Sequence, residues 1–332
     1  MTEKDQIRQI FQKFEQQKVL IIGDVMIDSY IFGKVERISP EAPVPIVAVK
    51  RRSDRLGGAA NVALNIKSLS AEPILCSVVG EDSKADAFLQ ILEQNQISTE
   101  GIIKSPSRIT TTKFRVIGNS SQMLRVDEEM DEPLSSAENE ILLQTIHKIL
   151  EQHHINVIVF QDYDKGVISK YIIEKVLEMA NGIPTVVDPK KRNFHHFKNT
   201  TLFKPNLKEL REGINENFEA HETEKLKKAV EQLQNELNCK YFFTTLSENG
   251  VMISQRQISG EIVHQSIPAH IRNISDVSGA GDTVISVAAL CLAQNIPAQQ
   301  LAHISNMAGG LVCEEVGVVP VNKEKLFNEL TK

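Results

Sequence analysis

Apolar runs alternate with amphipathic segments along most of this chain. The strongest apolar runs, which predict buried strands of a parallel sheet, are KVLIIGDV (18–25), PILCSVVG (73–80), INVIVFQDY (155–163), PTVVDP (184–189) and KYFFTTL (240–246). The segments that predict helices are GGAANVALNIKSL (57–69), the stretch from Ala85 to Leu92, SKYIIEKVLEMANG (169–182) and HETEKLKKAVEQLQNELN (221–238). Two closing helices are expected after residue 283. Strands and helices in alternation indicate an α/β fold with a mainly parallel central sheet.

The first predicted strand is followed, where a helix would be expected, by two β-type segments, YIFGKV (30–35) and VPIVAVKR (44–51). Two further β-type segments, TTTKFRVIG (110–118) and QMLRVDEE (122–129), come after the second strand and its helix and could complete the same small sheet. Gly118-Asn119, near the junction of the last two, predicts a hairpin turn. We therefore expect a small β-sheet lid outside the main sheet, over approximately residues 29–55 and 108–129. No repeat, low-complexity tract or Pro/Gly/Ser-rich linker divides the chain, so one domain is expected over residues 1–332.

Composition narrows the classes of partner. Hydrophobic residues make up 41% and charged residues 24% of the chain, and the formal net charge of -6 gives no general electrostatic reason to bind nucleic acid or an anionic membrane. No apolar run reaches the roughly 18 residues of a membrane span, and the N-terminus lacks the hydrophobic region of a signal peptide. The four cysteines are scattered without C-x-x-C spacing. We expect a protein of the reducing cytoplasm that binds a small molecule.

Residues 276–283, DVSGAGDT, lead into an apolar stretch that predicts a helix beginning at Asp282 or Thr283. Small residues at a helix N-terminus expose backbone N–H groups at the positive end of the helix dipole, where they bind an anion such as phosphate. A carboxylate there would repel a phosphate, but it is chemically useful if it accepts a proton from a hydroxyl that attacks the phosphate. The alternative is that Asp282 caps the helix. This stretch alone leaves both interpretations open.

Three segments, in the same order over nearly the whole chain, resemble signatures of the ribokinase-like (PfkB) carbohydrate kinases. They are GDVMID (23–28), RLGGAANVALNIKSLSA (55–71) and DVSGAGDT (276–283). The resemblance implies a ribokinase-like α/β fold, a three-layer sandwich with a mainly parallel central sheet and a small β-sheet lid. It also implies phosphoryl transfer from ATP, with Mg²⁺, to a sugar or sugar phosphate.

The resemblance implies a role for individual residues of this chain. Asp282 would be the base that deprotonates the acceptor hydroxyl. The implied anion hole consists of the amides of Gly279, Ala280 and Gly281, and the implied sugar-binding residues are Asp28, Gly57, Gly58 and Asn61. The implied nucleotide-binding residues are Asn206, Thr245, Ser247, Gly250 and Asn306. Hydrated Mg²⁺ would be held, through water, by Asn206 and Glu209.

Two of these assignments have structural alternatives that the residues alone support as well. Gly57-Gly58 also fits a plain turn from a strand into a helix. Asn206 and Glu209 also fit the polar first turn of a helix after Pro205. Without the resemblance, the choice for Gly57-Gly58 stays open, and the helix-start interpretation of Asn206 and Glu209 is the favoured one.

Basic residues of the lid are candidates for binding a substrate phosphate. Lys113 and Arg115 alternate along one predicted strand and therefore share a face, whereas the sequence does not fix the side on which Arg125 lies. Arginine suits this role because its planar guanidinium contacts two phosphate oxygens at once. The alternative is a solvated charged face.

Within the PfkB family, further segments narrow the resemblance to the heptose 7-phosphate kinases. They are RISPEAPVPIV (37–47), TTTKFRV (110–116), QDYDKG (161–166), VDPK (187–190) and KPNLKE (204–209). The implied reaction is ATP-dependent phosphorylation of the anomeric 1-hydroxyl of D-glycero-D-manno-heptose 7-phosphate, in lipopolysaccharide-core biosynthesis. In many bacteria such kinases are fused to a nucleotidyltransferase with an H-x-G-H motif. That motif is absent from this sequence, so a stand-alone kinase is expected.

This sequence differs from the heptose kinase pattern at two places, and two other functions fit it. Gly317-Val318-Val319 stands where these kinases often carry G-T-S, near the monovalent-cation site of some relatives, which leaves K⁺ dependence open. Asp164 stands where the pattern has alanine. The rivals are another PfkB-type sugar or sugar-phosphate kinase and a catalytically silent sugar or nucleotide sensor. By analogy with relatives whose lids pair, a homodimer through the β lid is expected.

Overall fold

Thirteen strands and ten α-helices are formed by the residues that the computed structural model describes, 2–270 and 273–332. The strands are β1 (Lys18–Gly23), β2 (Val25–Ile38), β3 (Pro45–Gly58), β4 (Glu72–Gly80), β5 (Ile102–Ser105), β6 (Thr112–Gly118), β7 (Ser121–Glu128), β8 (Val157–Gln161), β9 (Thr185–Asp188), β10 (Leu202–Phe203), β11 (Tyr241–Thr245), β12 (Val251–Arg256) and β13 (Ile262–Ile267). The helices are α1 (Glu3–Phe14), α2 (Ala59–Ser68), α3 (Ser83–Gln94), α4 (Ser136–Gln152), α5 (Lys170–Ala180), α6 (Leu207–Ile214), α7 (Thr223–Leu237), α8 (Ala280–Ala293), α9 (Ala298–Val312) and α10 (Lys323–Leu330).

Nine strands form the main sheet, in the order β13-β12-β11-β10-β9-β8-β1-β4-β5. The seven strands from β11 to β5 run parallel, and the β12–β13 hairpin adds two antiparallel strands at one edge. Val19 and Ile21 of β1 pack in one core with α1–α3 and α8–α10, whereas Leu20 and Ile22 pack in a second core with α4–α7. Both faces of the sheet are therefore covered by helices, which confirms the expected three-layer α/β sandwich.

The other four strands form a smaller sheet, the lid, in the order β3-β2-β6-β7. β2 begins at Val25, directly after β1, and pairs antiparallel with β3 and parallel with β6. The β segments that follow the first strand therefore form a separate sheet, as predicted. The first lid segment is longer than expected, since β2 and β3 together run from Val25 to Gly58 and not only over 29–55.

The turn between β6 and β7 lies one residue later than predicted. Its two central residues are Asn119 and Ser120, with φ values of 51° and 67°. A two-residue hairpin turn of this kind requires positive φ at both central positions. Gly118 is the last residue of β6 and pairs with Ser121 across the ladder. The prediction of Gly118-Asn119 as the turn is therefore wrong by one position.

Three helices close the chain, where two were predicted. The first, α8, begins at Ala280 and not at Asp282 or Thr283, because Gly279 provides the N-cap with a φ of 79°. The third, α10, is short and packs against α1, where the rings of Phe327 and Phe11 are 5.8 Å apart. The earlier start of α8 places Asp282 inside its first turn.

Helix length and cysteine burial are the two structural features that bear on the compartment. Within residues 2–270 and 273–332, no helix combines the length and the apolar character needed to span a bilayer. The four cysteines are free and buried, and burial raises the pKa of the Cys76 and Cys291 thiols well above its ordinary value. These thiols behave as small apolar side chains of the core.

Candidate active site

Asp282 lies in the first turn of α8, at the carboxyl-terminal edge of the main sheet. A Cβ at the preceding N-cap, Gly279, would lie 2.8 Å from Asn61 Nδ2, so glycine is what allows α8 to begin this close to α2. Polar contacts continue between the two helices, where the Thr283 hydroxyl donates to Asn65 Oδ1 at 3.0 Å. The close packing of α2 on α8 brings the glycine-rich signature near residue 57 to the one near residue 279.

The Asp282 carboxylate accepts three hydrogen bonds from side chains that are distant in sequence. Asn61 Nδ2 donates to Oδ2 at 2.7 Å, whereas Gln161 Nε2 (3.1 Å) and the Tyr163 hydroxyl (2.7 Å) both donate to Oδ1. The cap of α8 is Gly279, and it makes no side-chain capping bond. The interpretation of Asp282 as a helix cap is therefore wrong. Its carboxylate instead projects to the end of the sheet.

Burial raises the pKa of Asp282 to about 6, since only 3% of the residue is exposed. Hydrogen bonds from Asn61 and Tyr163 oppose this rise, the nearby Asp188 adds to it, and Lys204 opposes it. A carboxylate with a pKa near 6 is ionised at neutral pH and is a stronger base than an ordinary aspartate. The electrostatics of Asp282 therefore suit proton abstraction.

A buried ion pair lies beside the first turn of α8. Lys204 Nζ is 3.0 Å from Asp188 Oδ2, and the two side chains are only 3% and 8% exposed. The Cβ position of Gly281 is 3.9 Å from Lys204 Nζ and 3.8 Å from Asp188 Oδ2. Gln161 Nε2, which donates to Asp282, also lies 3.3 Å from Asp188 Oδ2. The ion pair and the Asp282 carboxylate therefore form one connected polar site.

No individual role was predicted for four residues of this site, Gln161, Tyr163, Asp188 and Lys204. Each ends a strand of the main sheet, β8, β9 or β10, or follows it within two residues. The sequence signal that could have identified them was their place at the ends of predicted strands, because ligand sites of open parallel sheets lie at the carboxyl ends of the strands. The segments QDYDKG, VDPK and KPNLKE, which contain them, were matched only as wholes.

The N-terminus of α8 lies beside the Lys204–Asp188 ion pair. The first bond inside the helix runs from the Thr283 amide to the Gly279 carbonyl at 3.0 Å, so the amides between them have no acceptor within the helix. The amide of Ala280 donates to the Val277 carbonyl at 3.3 Å. The anion hole of residues 279–281 stays a prediction.

Asp28, Gly57 and Gly58 lie on the two lid strands nearest to α2. The Arg115 guanidinium contacts Asp28 Oδ1, and a Cβ on Gly57 would collide with Asp28 Oδ2. Glycine at position 57 is therefore what lets the carboxylate lie there. Burial raises the pKa of Asp28, and the Arg115 cation opposes that rise. Gly58, with a φ of 60°, is the N-cap of α2, so the structural interpretation of this turn holds. Sugar binding by these residues stays a prediction.

The basic residues of the lid are paired with carboxylates. Lys113 Nζ lies 3.0 Å from Asp127 and 2.8 Å from Glu129. Arg125 lies directly opposite Arg115 in the β6–β7 ladder, so the two side chains share a face, a point that the sequence left open. Lys113 would exchange its acidic partners for a phosphate if it bound the substrate, and its role stays a prediction.

Asn206 and Glu209 form a capping box at the start of α6. Asn206 Oδ1 accepts from the Glu209 amide at 2.9 Å, and Glu209 Oε2 accepts from the Asn206 amide at 2.9 Å. The polar first turn considered as an alternative is therefore present. The other oxygen of Glu209 contacts Lys190 Nζ, which lies 5.6 Å from the ring centroid of Tyr163. These contacts link the box to the Asp282 site, and Mg²⁺ binding by it stays a prediction.

The residues predicted to bind nucleotide lie at the end of β11 and on α9. Thr245 forms an isolated parallel bridge with Asn206, and the turn after it contains Ser247 and Gly250, with φ values of 53° and 83°. Asn306 Nδ2 donates at 2.9 Å to a backbone carbonyl of the segment after β13. The structure thus joins Thr245 to the capping box, and the nucleotide contacts of all five residues stay predictions.

The loop before α8 is tied to the segment after α9, where the sequence left K⁺ dependence open. The Gly317 amide donates to Asp276 Oδ2 at 2.9 Å. Arg55 Nη1 donates to the carbonyls of Val316 and Val318 at 3.3 Å and 3.0 Å. The carbonyls of Val316 and Val318 therefore already contact the Arg55 guanidinium.

A groove of about 570 Å³ lies near the amino ends of β9 and β10, at the other end of the strands from Asp282. Its lining includes Glu174, His196, Lys198 and Thr201. Ligands of open parallel sheets bind at the carboxyl ends of the strands, where the buried Asp282 carboxylate and the ion pair lie. The surroundings of Asp282 are therefore the candidate active site.

Sequence comparison finds similar proteins over most of this chain. The sequence profile of the pfkB family carbohydrate kinases matches residues 16–325. The bifunctional protein HldE of Methylobacillus flagellatus is 38% identical over 314 residues, which cover 94% of this chain and 63% of that protein. Three such relatives are matched over 63–66% of their length, so the chain spans just under two thirds of the curated relatives.

Solved structures show the same fold at low sequence identity. Phosphofructokinase-2 of Escherichia coli, in complex with potassium, aligns with a TM-score of 0.77 and 18% identity, over 95% of this chain and 99% of that one. Ribokinase of Giardia lamblia aligns with a TM-score of 0.71 and 20% identity, over 95% and 98% of the two chains. The ribokinase-like fold expected from the three sequence signatures is confirmed.

Proposed function

Because the chain belongs to the pfkB family of carbohydrate kinases, we propose that it transfers the γ-phosphoryl group of ATP to the anomeric 1-hydroxyl of D-glycero-D-manno-heptose 7-phosphate. The product is the 1,7-bisphosphate, an intermediate of lipopolysaccharide-core biosynthesis. The observation that carries the proposal is the buried Asp282 carboxylate, which accepts three hydrogen bonds beside the Lys204–Asp188 ion pair. A base of raised pKa next to a cation at a helix N-terminus suits attack of a hydroxyl on a phosphate.

In this mechanism the acceptor hydroxyl lies between Asp282 and the γ-phosphate. The proton passes to the carboxylate while the hydroxyl oxygen bonds to phosphorus, and the bond from phosphorus to the ADP oxygen breaks in line with the attack. In the proposed mechanism, Lys204 and free amides of the first turn of α8 stabilise charge on the transferred group. Asn61 and Gln161 hold the carboxylate during the transfer.

Oxygen groups at this edge of the sheet fit Mg²⁺. Asn206 and Glu209 supply an amide oxygen and a carboxylate at the start of α6, and Glu209 also contacts Lys190. The described ranges contain no group of three His, Cys, Asp or Glu side chains that could hold a metal alone. Mg²⁺ is usually bound through one or two carboxylates, water and substrate phosphates. When bound, it neutralises charge on the triphosphate, and we propose Asn206 and Glu209 as its protein contacts through water.

The choice of acceptor rests on sequence segments and on the relatives. The segments that resemble heptose 7-phosphate kinases include QDYDKG, VDPK and KPNLKE, which supply Tyr163, Asp188 and Lys204 to the site. The relatives carry the name bifunctional protein HldE, and this chain covers just under two thirds of them. Both facts fit a heptose kinase that is fused to a second activity in those relatives.

The rival functions use the same fold. Another PfkB-type sugar kinase would keep Asp282 and differ in the lid residues that contact the acceptor. A silent sensor would have no chemical need for a buried base of raised pKa. K⁺ is left out of the proposal, because Arg55 already contacts the carbonyls of Val316 and Val318. The proposed location is the reducing cytoplasm, where four free thiols persist.

We expect Mg²⁺-dependent ADP release with heptose 7-phosphate, and not with ribose, fructose 6-phosphate or adenosine. The lid face bearing Asp28, Arg115 and Arg125 offers a carboxylate for sugar hydroxyls and guanidinium groups for a phosphate, which favours a sugar phosphate over ribose and adenosine. The expected preference over fructose 6-phosphate rests on the sequence segments that resemble heptose 7-phosphate kinases. A coupled ATPase assay with each acceptor, with and without EDTA, measures this. Turnover only with another acceptor would overturn the heptose assignment and keep the kinase. No turnover with any acceptor would favour the sensor.

The other face of the lid carries exposed apolar side chains. In the β6–β7 ladder, Phe114 lies opposite Val126 and Val116 opposite Leu124, so the four side chains share this face. Leu124 and Val126 are 56% and 45% exposed. Two lids packed through this face would cover these side chains in both copies, and we infer a homodimer of that kind.

The double variant Leu124→Glu/Val126→Glu is expected to be a monomer at micromolar concentration, whereas the unchanged protein is a dimer. Burying four glutamates in such an interface would remove its apolar contact and add repulsion. Size-exclusion chromatography with light scattering measures the mass. Ile141→Glu, on the exposed side of α4 where Ile141 is 48% exposed, is the control and should remain dimeric. A monomeric unchanged protein would refute the lid dimer.

A further inference from the structure

The side chain of Tyr163 contacts the proposed base directly. Its hydroxyl donates to Asp282 Oδ1 at 2.7 Å, and Gln161 Nε2 donates to the same oxygen at 3.1 Å. A carboxylate oxygen has two lone pairs, so these two donors saturate Oδ1. Oδ2 accepts from Asn61 at 2.7 Å and retains one lone pair. The donors around Asp282 therefore leave a single position, on Oδ2, for an incoming hydroxyl.

Buried charged groups fix the backbone that carries Tyr163. Asp24 accepts hydrogen bonds from three amides of this segment, those of Tyr163 (2.8 Å), Lys165 (3.1 Å) and Val167 (3.0 Å). Arg108 Nη2 donates to the Lys165 carbonyl at 2.6 Å. Asp24 is 1% exposed, and burial raises its pKa while the three amides oppose the rise. The hydroxyl of Tyr163 is thus placed by the fold and needs no ligand to bring it to Asp282.

The phenol of Tyr163 keeps its proton at the pH where a kinase works. Burial raises the pKa of Tyr163 well above its ordinary value, and the carboxylates of Asp282 and Asp188 raise it further. Asp188 and Lys204, which form an ion pair with each other, both act on the charge of Asp282. Asp28 also acts on Tyr163, and Lys190 Nζ lies 5.6 Å from its ring centroid. Burial also raises the pKa of the adjacent Asp162, to about 7, and this carboxyl is present in every variant compared below. Tyr163 is therefore a constant hydrogen-bond donor to Asp282.

We propose that Tyr163 is a positioning residue for the Asp282 base. Its hydroxyl orients the carboxylate with Oδ2 toward the acceptor, and it stabilises the ionised form that accepts the proton. The inference rests on the proposed function of Asp282. Two effects follow from one contact: the orientation contributes to kcat, and the hydrogen bond lowers the pH at which the base becomes ionised.

Tyr163→Phe removes the hydroxyl and keeps the ring. We expect kcat/KM to fall about 10- to 100-fold, as for loss of a hydrogen bond to a charged group. The acid limb of the pH profile should move up by about 0.5 to 1 unit, because the carboxylate loses a donor to its ionised form. KM for ATP should not change. The matched control is Tyr171→Phe, which removes a hydroxyl that donates to Glu140 at 2.8 Å on the surface. That variant should match the unchanged protein.

A second readout reports the pKa of Asp282 without any activity. The folded pKa is about 6 against an ordinary value of 3.8, so the folded protein binds this proton more tightly than the unfolded chain. Ionised Asp282 therefore costs stability, and the cost grows between those two pH values and levels off above the folded pKa. The difference in Tm between a protein and its Asp282→Asn variant should follow this curve. When both proteins in the comparison also carry Tyr163→Phe, the curve of the Tm difference should level off at a higher pH.

The outcomes separate this inference from the proposed function. If heptose 7-phosphate and the other acceptors are not phosphorylated, the proposed function fails, and the Tm curves still test the contact between Tyr163 and Asp282. If the acid limb and the Tm curve of Tyr163→Phe coincide with those of the unchanged protein, the inference is wrong. A uniform loss of kcat at every pH, with no shift in either curve, would show a merely structural role and would also overturn it.

Discussion

Asp282→Asn is expected to lower kcat by a factor of about 10² to 10⁴ while the protein stays folded. Asparagine keeps the size of the side chain but cannot accept the proton of the acceptor hydroxyl. The fold should tolerate the change, because an ionised carboxylate that is 3% exposed costs stability and a neutral amide does not carry that cost. Steady-state ADP release and thermal unfolding at pH 8 measure the two effects.

The control for this variant is Asp86→Asn, which changes an exposed aspartate that pairs with Lys104 on the surface. It should leave kcat unchanged. The unchanged protein should lose activity as the pH falls through about 6, since the base is protonated below its pKa. Retention of most of kcat by a folded Asp282→Asn protein would remove Asp282 from the chemistry.

Strands with long apolar runs were predicted from the sequence, whereas one amphipathic helix and one helix start were not. The run KVLIIGDV is buried on both faces, so its apolar composition alone predicts β1. α1 was missed although Ile7, Ile10, Phe11 and Phe14 follow helical spacing and are buried. The start of α8 was misplaced because Gly279, in the left-handed conformation, was taken for loop. A cap of that kind is decided by backbone geometry that composition does not show.

The part of the candidate site that could be predicted is the part whose residues are neighbours in the sequence. Asp282 lies within DVSGAGDT, so the glycines that let phosphate approach and the carboxylate are read together. Gln161 and Tyr163 are 121 and 119 residues away from Asp282, and only the parallel pairing of the strands brings them to it. The contact between Asn61 and Asp282 likewise depends on the packing of α2 on α8.

The ion pair of Lys204 and Asp188 gives the second large expected effect. Lys204→Met is expected to destabilise the protein by about 3–5 kcal/mol, because it leaves the Asp188 carboxylate buried and without its cation. It should also lower kcat/KM, since Lys204 Nζ lies 3.9 Å from the Cβ position of Gly281, where the anion is expected. Urea unfolding and ADP release measure the two losses.

These two losses have different origins, and a double variant separates them. Lys204→Met/Asp188→Asn removes both charges, so most of the lost stability should return, whereas kcat/KM should stay low because the cation is still missing. The control is Lys104→Met, which breaks an exposed pair with Asp86 at 2.6 Å and should cost at most about 1 kcal/mol. If activity returned together with stability in the double variant, Lys204 would act through folding alone, and its place in the proposed mechanism would be wrong.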